Sequence, residues 1–335
     1  MAESGPDTER TGVMVTFIDP LTWSREFSYN VEDSIFAAAG VRLVVPTDEA
    51  ERDALLPVAD AVISSGTMAV DAATISSLRR CVAIQCYSVG MDAVDRVAAK
   101  AAGITVANVN ASTADVADHT IALLLCMERR LVPMFDATER GEWNLRQLPD
   151  AWEIRRLDGQ TLGVVGAGRI GRSVASRARA FGFTTIANDL FLPDPPEPDL
   201  EMVSLPELFS RSDAIAVCAS LDAASHKLIN ADVLAHTKPG ALFINTARGG
   251  LVDEVALAEA LDDGRIRLAA LDVRDPEPPE PGNDPLAGQP SVLQTPHMAA
   301  MSERTRDDVH NLVADNVLRI LRESGRLGAA ASERS

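Results

Sequence analysis

The chain has 335 residues, of which 46% are hydrophobic, and a formal net charge of −18. That length suits two domains, each able to bury a core of its own. So acidic a surface argues against nucleic acid or an anionic membrane as a partner. It also repels an anionic substrate at long range, so any anion site must bring its own positive charge.

The N-terminal stretch MAESGPDTERTG is polar and acidic and does not read as a signal peptide. From Val13 onward, short β-branched runs alternate with amphipathic segments, the pattern of an α/β protein. The first series of strands is VMVTFID, RLVVP, DAVISS, CVAIQC and ITVANV, with helical segments such as 32–39 and 92–102 between them. Near Ser112 the pattern changes to one long helix, TADVADHTIALLLCMERRLVPMFDATERG, whose apolar middle suggests burial between domains. Its core, TIALLLCM, is far too short to cross a bilayer. A Trp-containing loop over 142–156 leads into a second alternating series: TLGVVGAG, TTIAND, DAIAVCA, ALFINTA, RLAALDV and VLQTPH. Six strands with intervening helices fit one doubly wound parallel sheet. The last helix, SERTRDDVHNLVADNVLRILRES, has no strand left to cover there, so it is expected to return to the first domain. The tail GAAASERS reads as disordered. Cys81, Cys86, Cys126 and Cys218 lie in apolar runs without CxxC spacing, as core thiols do, and no metal site is expected. These features point to a soluble cytoplasmic protein.

The second series opens on a chemical motif. TLGVVGAGRIG places Gly166, Gly168 and Gly171 between an apolar strand and an amphipathic helix. The first glycine suits a tight turn, and the second lets the backbone approach a pyrophosphate. The third lets helix and strand pack closely, while the helix N-terminus offers N–H donors. A lone GxGxxG is weak, but here Asp189 ends the next strand, 18 residues after Gly171. A carboxylate there hydrogen-bonds ribose hydroxyls and repels a 2′-phosphate, and neither Leu190 nor Phe191 offers a cation to hold one. The spacing predicts a dinucleotide site with NAD favoured over NADP.

Further along, Arg248 follows an apolar strand, Glu277 lies in a proline-rich loop after Val273, and His297 follows the last strand. Ligands bind at the carboxyl ends of strands in such a sheet, so the three are expected to converge. An arginine can hold a carboxylate bidentately and polarise a neighbouring carbonyl. A histidine can move a proton at the oxygen while hydride moves at the carbon, and a paired carboxylate favours its charged form. His119, His226, His236 and His310 carry no comparable context and read as structural.

In combination, GAGRIG, the strand-end Asp189, SDAIAV, INTARGGLVDEVAL, ALDVRDPEP and TPH resemble, in order, the D-isomer-specific 2-hydroxyacid dehydrogenase family. The resemblance covers roughly residues 62–309. It implies an NAD-dependent oxidoreductase interconverting a 2-keto acid and a D-2-hydroxy acid, with Arg248 binding substrate, His297 as acid/base and Glu277 as its partner. It implies cofactor contacts from Gly166, Gly168, Arg169, Ile170, Gly171, Asp189, Ala219, Ser220, Thr246 and Ala247, with Asp272 near the nicotinamide carboxamide. YSVGMDAVD resembles the family's substrate loop, so Ser88, Val89 and Gly90 are implied in holding the substrate carboxylate, Val89 and Gly90 through backbone N–H groups. The implied architecture is a Rossmann NAD-binding domain, 112–298, inserted into a flavodoxin-like substrate domain built from 1–111 and 299–335. A homodimer is implied as well.

Within the family, SDAIAVCASLDAASHKLIN and NTARGGLVDE are most similar to the C-terminal-binding-protein branch. A non-catalytic NAD(H)-sensing regulator is therefore the alternative, although the arginine, glutamate and histidine together favour an enzyme. The chain departs from the family's phosphoglycerate dehydrogenases at Ser64-Ser65-Gly66-Thr67, which carries no cation to hold a phosphate. Ala300 stands where the corepressor branch has a tryptophan, and Met298 beside it reads as a core filler. Cys218 occupies a strand position where many members have a histidine.

Overall fold

The structure is a computed structural model that describes residues 12–19, 29–66, 68–143, 154–191 and 198–328. The acidic leader, Thr67, most of the Trp-containing loop and all but the first residue of the tail lie outside the described residues. The chain divides into two compact units, Met1–Ala111 with Glu303–Ser335, and Ser112–Ser302.

The first unit alternates β1 (Val13–Phe17), α1 (Asn30–Ala38), β2 (Val41–Val44), α2 (Glu49–Leu55), β3 (Ala61–Ser64), α3 (Ala72–Ser77), β4 (Ala83–Cys86), α4 (Arg96–Ala101) and β5 (Thr105–Ala107). All pairings are parallel, in the order β2-β1-β3-β4-β5. This is the flavodoxin-like order. The closing helix Glu303–Glu323 buries Val313, Ala314, Val317, Leu318 and Leu321, residues three and four apart that form one stripe. The stripe packs with Val15, Phe17, Phe36 and Ile63, so the helix belongs to the first sheet, as its lack of a strand in the second series predicts.

The second unit runs α5 (Thr113–Glu128), α6 (Leu131–Glu139), β6 (Thr161–Val165), α7 (Arg169–Ala180), β7 (Thr184–Asn188), β8 (Glu201–Met202), α8 (Leu205–Arg211), β9 (Ala214–Val217), α9 (Ala231–Leu234), β10 (Ala241–Asn245), α10 (Glu254–Asp262), β11 (Ile266–Leu271) and β12 (Val292–Gln294). Its parallel strands lie in the order β12-β11-β10-β9-β6-β7-β8. Direction reverses between β6 and β9, the switch point of a Rossmann sheet. β9 and β10 are buried along their whole length and therefore read as continuous apolar runs. Alternate residues serve opposite faces: Ile215, Val217 and Phe243 pack on one, and Ala214, Ala216, Leu242 and Ile244 on the other.

Two features differ from the sequence expectation. The single long helix is divided, because Arg130 takes a left-handed backbone (φ 54°) between α5 and α6. Pro133 supplies the reason: in an unbroken helix its ring would collide with the carbonyl of Arg129, whereas the first turn of a new helix tolerates it. The second sheet has a seventh strand, β8, which pairs through two residues at the edge beside β7, too short to show as a periodic run.

Candidate active site

The glycine-rich turn leaves β6 at the switch point. Gly166 has φ +98°, and a Cβ there would stand 2.6 Å from the backbone nitrogen of Ala219, at the end of β9. A Cβ on Gly171 would stand 1.9 Å from the carbonyl oxygen of Gly166, so only glycine lets α7 sit down on the turn. Gly168 is different, because a Cβ there would meet nothing within 4 Å. The space in front of it is open, and α7 begins at Arg169 and Ile170 with no side-chain cap on its first-turn N–H groups. N–H groups without a side-chain cap, the positive end of the helix dipole and room for close approach suit a pyrophosphate. Asp189 follows β7 and anchors on the same turn, accepting from Ala167 N–H (2.7 Å) and Phe191 N–H (2.9 Å). These residues fit a dinucleotide, with open space for phosphates at the turn and a carboxylate beside it that suits ribose hydroxyls.

The neighbouring strand ends complete the rim. Ala219 abuts Gly166, and the Ser220 carbonyl accepts from the Ser225 hydroxyl at 2.8 Å. Burial pushes the Cys218 thiol up to about 12. Thr246 pairs its hydroxyl with that of Thr120 at 2.8 Å, and Ala247 accepts from Arg248 Nη1 at 2.7 Å.

Arg248 follows β10, its carbonyl held by Asn245 Nδ2 at 2.9 Å. His297 Nδ1 lies 2.7 Å from Glu277 Oε2, so Nε2 is the ring nitrogen left for other partners. The second carboxylate oxygen of Glu277 accepts from the backbone N–H of Arg274 at 2.8 Å. The hydrogen bond to Glu277 is the main cause of a raised His297 pKa; burial opposes it, the Glu277 and Asp272 charges add to it, and Arg248 opposes it. For Glu277, burial acts upward but is outweighed by the bonds from His297 and Arg274 and by the charges of His297 and Arg248, so its pKa is lowered. Arg248 therefore lies within electrostatic reach of both members of the pair. The raised imidazole contributes stability that is full below its ordinary pKa and lost as pH rises through the raised one. The depressed carboxylate contributes stability present above its ordinary pKa and lost as pH falls through the lowered one. The ion pair holds in the window between.

Asp272, at the end of β11, is 2% exposed, and its carboxylate is occupied by its own chain. Oδ1 accepts from the Thr295 hydroxyl (2.5 Å) and Met298 N–H (2.9 Å), and Oδ2 accepts from Ala299 N–H (2.9 Å). Its carbonyl accepts from His297 N–H at 2.8 Å. Together these bonds hold His297 at φ 51°, a left-handed backbone that costs about 1–3 kcal/mol and persists because its surroundings impose it. Met298 departs from the core role expected of it: its N–H is consumed inside while its side chain is 41% exposed. His119 on α5, read from sequence as structural, reaches Thr295 Oγ1 at 3.2 Å and Asp272 Oδ1 at 3.7 Å. Only its apolar neighbours show in the sequence, and its partners are more than 150 positions away.

Ser88, Val89 and Gly90 lie in the first unit, after β4. The Ser88 hydroxyl donates to the Gly90 carbonyl (2.7 Å) and Asn108 Nδ2 to the Val89 carbonyl (2.6 Å). Among the described residues, the N–H groups of Val89 and Gly90 have no acceptor, which leaves two adjacent donors for an anion. Also among the described residues, no group of three or more His, Cys, Asp or Glu side chains could hold a metal ion.

A doubly wound sheet with a glycine cradle, a strand-end acid and a histidine–glutamate pair beside an arginine defines a dinucleotide-dependent oxidoreductase. Residues 121–299 match the family model of the D-isomer specific 2-hydroxyacid dehydrogenase NAD binding domain, and the chain belongs to that family. It is 38% identical over 232 residues to the glycerate dehydrogenase of Methylorubrum extorquens, covering 68% of this chain and 72% of that one. It is likewise 38% identical over 293 residues to the D-3-phosphoglycerate dehydrogenase of Mycobacterium tuberculosis, covering 85% of this chain but only 54% of that longer one. Among solved structures, a glyoxylate reductase from Paecilomyes thermophila superposes with a TM-score of 0.81 at 29% identity, covering 95% of this chain and 98% of that one. The cofactor is NAD.

The three glycines make a separable prediction. Gly168→Val fills the open space only, so NADH affinity falls about tenfold or more while the melting temperature stays near wild type. Gly171→Ala drives a methyl into the Gly166 carbonyl and destabilises the fold by about 1–3 kcal/mol. Fluorescence titration with NADH and thermal unfolding check the two effects.

Proposed function

We propose that this protein interconverts a small 2-keto acid and the corresponding D-2-hydroxy acid with NAD(H). The observation that carries the proposal is the 2.7 Å bond between His297 Nδ1 and Glu277 Oε2 within electrostatic reach of Arg248. A protein that only senses NAD(H) needs the cradle and Asp189, whereas reduction of a keto acid also needs a proton donor such as His297.

In the reductive direction, bound NADH supplies the hydride to the carbonyl carbon. Arg248 takes the substrate carboxylate in its guanidinium fork and polarises the adjacent carbonyl. The carboxylate-holding role expected of Ser88, Val89 and Gly90 is supported within the first unit by the N–H groups of Val89 and Gly90, which have no acceptor among the described residues. His297 donates the Nε2 proton to the carbonyl oxygen, leaving a neutral imidazole; Glu277 keeps the ring oriented and charged until then. One hydride and one proton thus convert the C=O to a CH–OH, and the reverse reaction uses His297 as base. Asp189 would hold the adenosine ribose, Gly166, Gly168, Arg169, Ile170 and Gly171 the pyrophosphate, and Ala219, Ser220, Thr246 and Ala247 would line the nicotinamide end. Asp272 anchors the His297 loop through Thr295, Met298 and Ala299, and would stand near the carboxamide of the bound cofactor.

The glycerate dehydrogenase and glyoxylate reductase among the relatives favour hydroxypyruvate and glyoxylate as substrates. A phosphorylated acid is disfavoured because Ser64, Ser65 and Gly66 carry no cation. Four free thiols and an NAD requirement suit the reducing cytoplasm. We also propose a homodimer, since Leu131, Val132 and Phe135 on α6 and the nearby Trp143 are exposed, Phe135 by 62% and Trp143 by 85%.

Three outcomes follow. Wild-type protein oxidises NADH, read at 340 nm, with glyoxylate or hydroxypyruvate, and His297→Asn lowers kcat by about 100-fold or more while NADH still binds; undiminished turnover in that variant sinks the assignment. The rate constant kcat/KM for keto-acid reduction holds until pH passes the raised His297 pKa, and Glu277→Gln moves the falling limb down toward the ordinary imidazole value of about 6.5. Light scattering gives twice the 35.7 kDa chain mass, and Phe135→Asp with Trp143→Asp shifts the particle toward a single chain.

A further inference from the structure

Arg274 lies two residues beyond Asp272, and its side chain faces inward: it is 8% exposed, which is rare for a guanidinium without a full set of partners. It has that set. Nε and Nη2 form a fork on Glu254, at 2.9 Å to each carboxylate oxygen. Nη1 donates to Gln294 Oε1 at 2.7 Å, and Nη2 donates to Asp284 Oδ1 at 2.6 Å.

The location of these partners matters more than their number. Glu254 opens α10, directly after the turn that carries Arg248. Gln294 ends β12, three residues before His297. The backbone N–H of Arg274 itself donates to Glu277, and Asp275 N–H shares Glu254 Oε1 at 3.2 Å. The Arg248 turn also packs onto this residue, since a Cβ on Gly249 would stand 2.0 Å from the Arg274 carbonyl carbon. One buried side chain thus ties together the three segments that carry Arg248, Glu277 and His297.

We propose that Arg274 is a positioning residue, whose buried guanidinium fixes the Glu277–His297 pair against the Arg248 turn. An arginine is required because a rigid planar fork can meet Glu254 bidentately and still reach two further acceptors, which an ammonium cannot. Removing it leaves Glu254 and Asp284 facing one another without a cation. The strand end then relaxes, the Arg274 N–H leaves Glu277, and the carboxylate spends less time on His297. The charged groups that act on His297 are Glu277, Asp272 and Arg248, none of which bonds to the Arg274 side chain. A change in the imidazole's titration on altering Arg274 therefore travels through geometry rather than through a lost charge. The catalytic part of His297 rests on the function proposed above, but its pairing with Glu277 does not.

The test follows the ring resonances of the five histidines by NMR during a pH titration of the full chain, with His297→Asn assigning the signal. Glu277→Gln sets the value for an unpaired imidazole. In Arg274→Lys, which keeps the charge and loses the fork, the His297 pKa falls toward that value by about half a unit or more, a threefold change in its protonation equilibrium. With glyoxylate, kcat falls in parallel while NADH affinity holds. An unchanged His297 titration in the folded variant overturns the proposal and leaves Arg274 a stabilising residue only. If Arg274→Lys does not fold, Gln294→Leu cuts the tie to the His297 segment without altering charge, and an unchanged titration there overturns it equally. A shifted titration in a protein that turns over no keto acid sinks the proposed reaction but not the positioning role.

Discussion

The end of β11 is the point on which the candidate site depends, because two oppositely charged side chains are buried there almost side by side. A carboxylate or a guanidinium taken out of water costs several kcal/mol unless its hydrogen-bonding capacity is met. Asp272 meets its need with Thr295, Met298 and Ala299, and Arg274 meets its own with Glu254, Asp284 and Gln294. Neither requirement can be satisfied locally, so each charge draws in a different part of the chain. The loop bearing His297 is fixed from one side and the loop bearing Glu277 from the other. The left-handed backbone at His297 is one consequence, and the 2.7 Å contact between imidazole and carboxylate is another.

The cofactor cradle is built on a different principle. It involves little side-chain chemistry and depends on missing side chains, with two glycines excluded from having a Cβ by backbone and a third opening onto empty space. Close packing makes the turn rigid, and rigidity keeps the helix N–H groups aimed at one place. The net charge of −18 is compatible with anionic ligands for the same reason. The N–H groups at α7 and at Val89 and Gly90, and the Arg248 guanidinium, are positive at short range, where such groups outweigh a diffuse field that salt screens within about 8 Å under physiological conditions.

Much of this was legible in advance. The two series of strands, the cradle glycines, Asp189 and the trio Arg248, Glu277 and His297 all lie in contiguous motifs, where residue type and spacing carry the information. Parallel strands buried on both faces leave uninterrupted apolar runs, and the division of labour among Gly166, Gly168 and Gly171 follows from their positions between strand and helix. The break at Arg130 was harder to see, because the apolar stripe continues through it and only Pro133 marks the change. The two-residue β8 is too short to have a period at all.

What the sequence determined by itself was the class of fold, the glycine-rich turn and the polar groups that make up the candidate site. These are encoded locally, in the stereochemistry of glycine and in the alternation of apolar and polar residues. What only the tertiary structure decided was the set of partners that make those groups usable: His119 and Thr295 beside Asp272, the outward Met298, and the Arg274 network. In the sequence, Arg274 is one cation at the head of an acidic, proline-rich stretch, and no local pattern marks it as buried. Its role arises because burial strips away water, and a buried charge must then bond to whatever the fold has brought within reach, however far away in the chain.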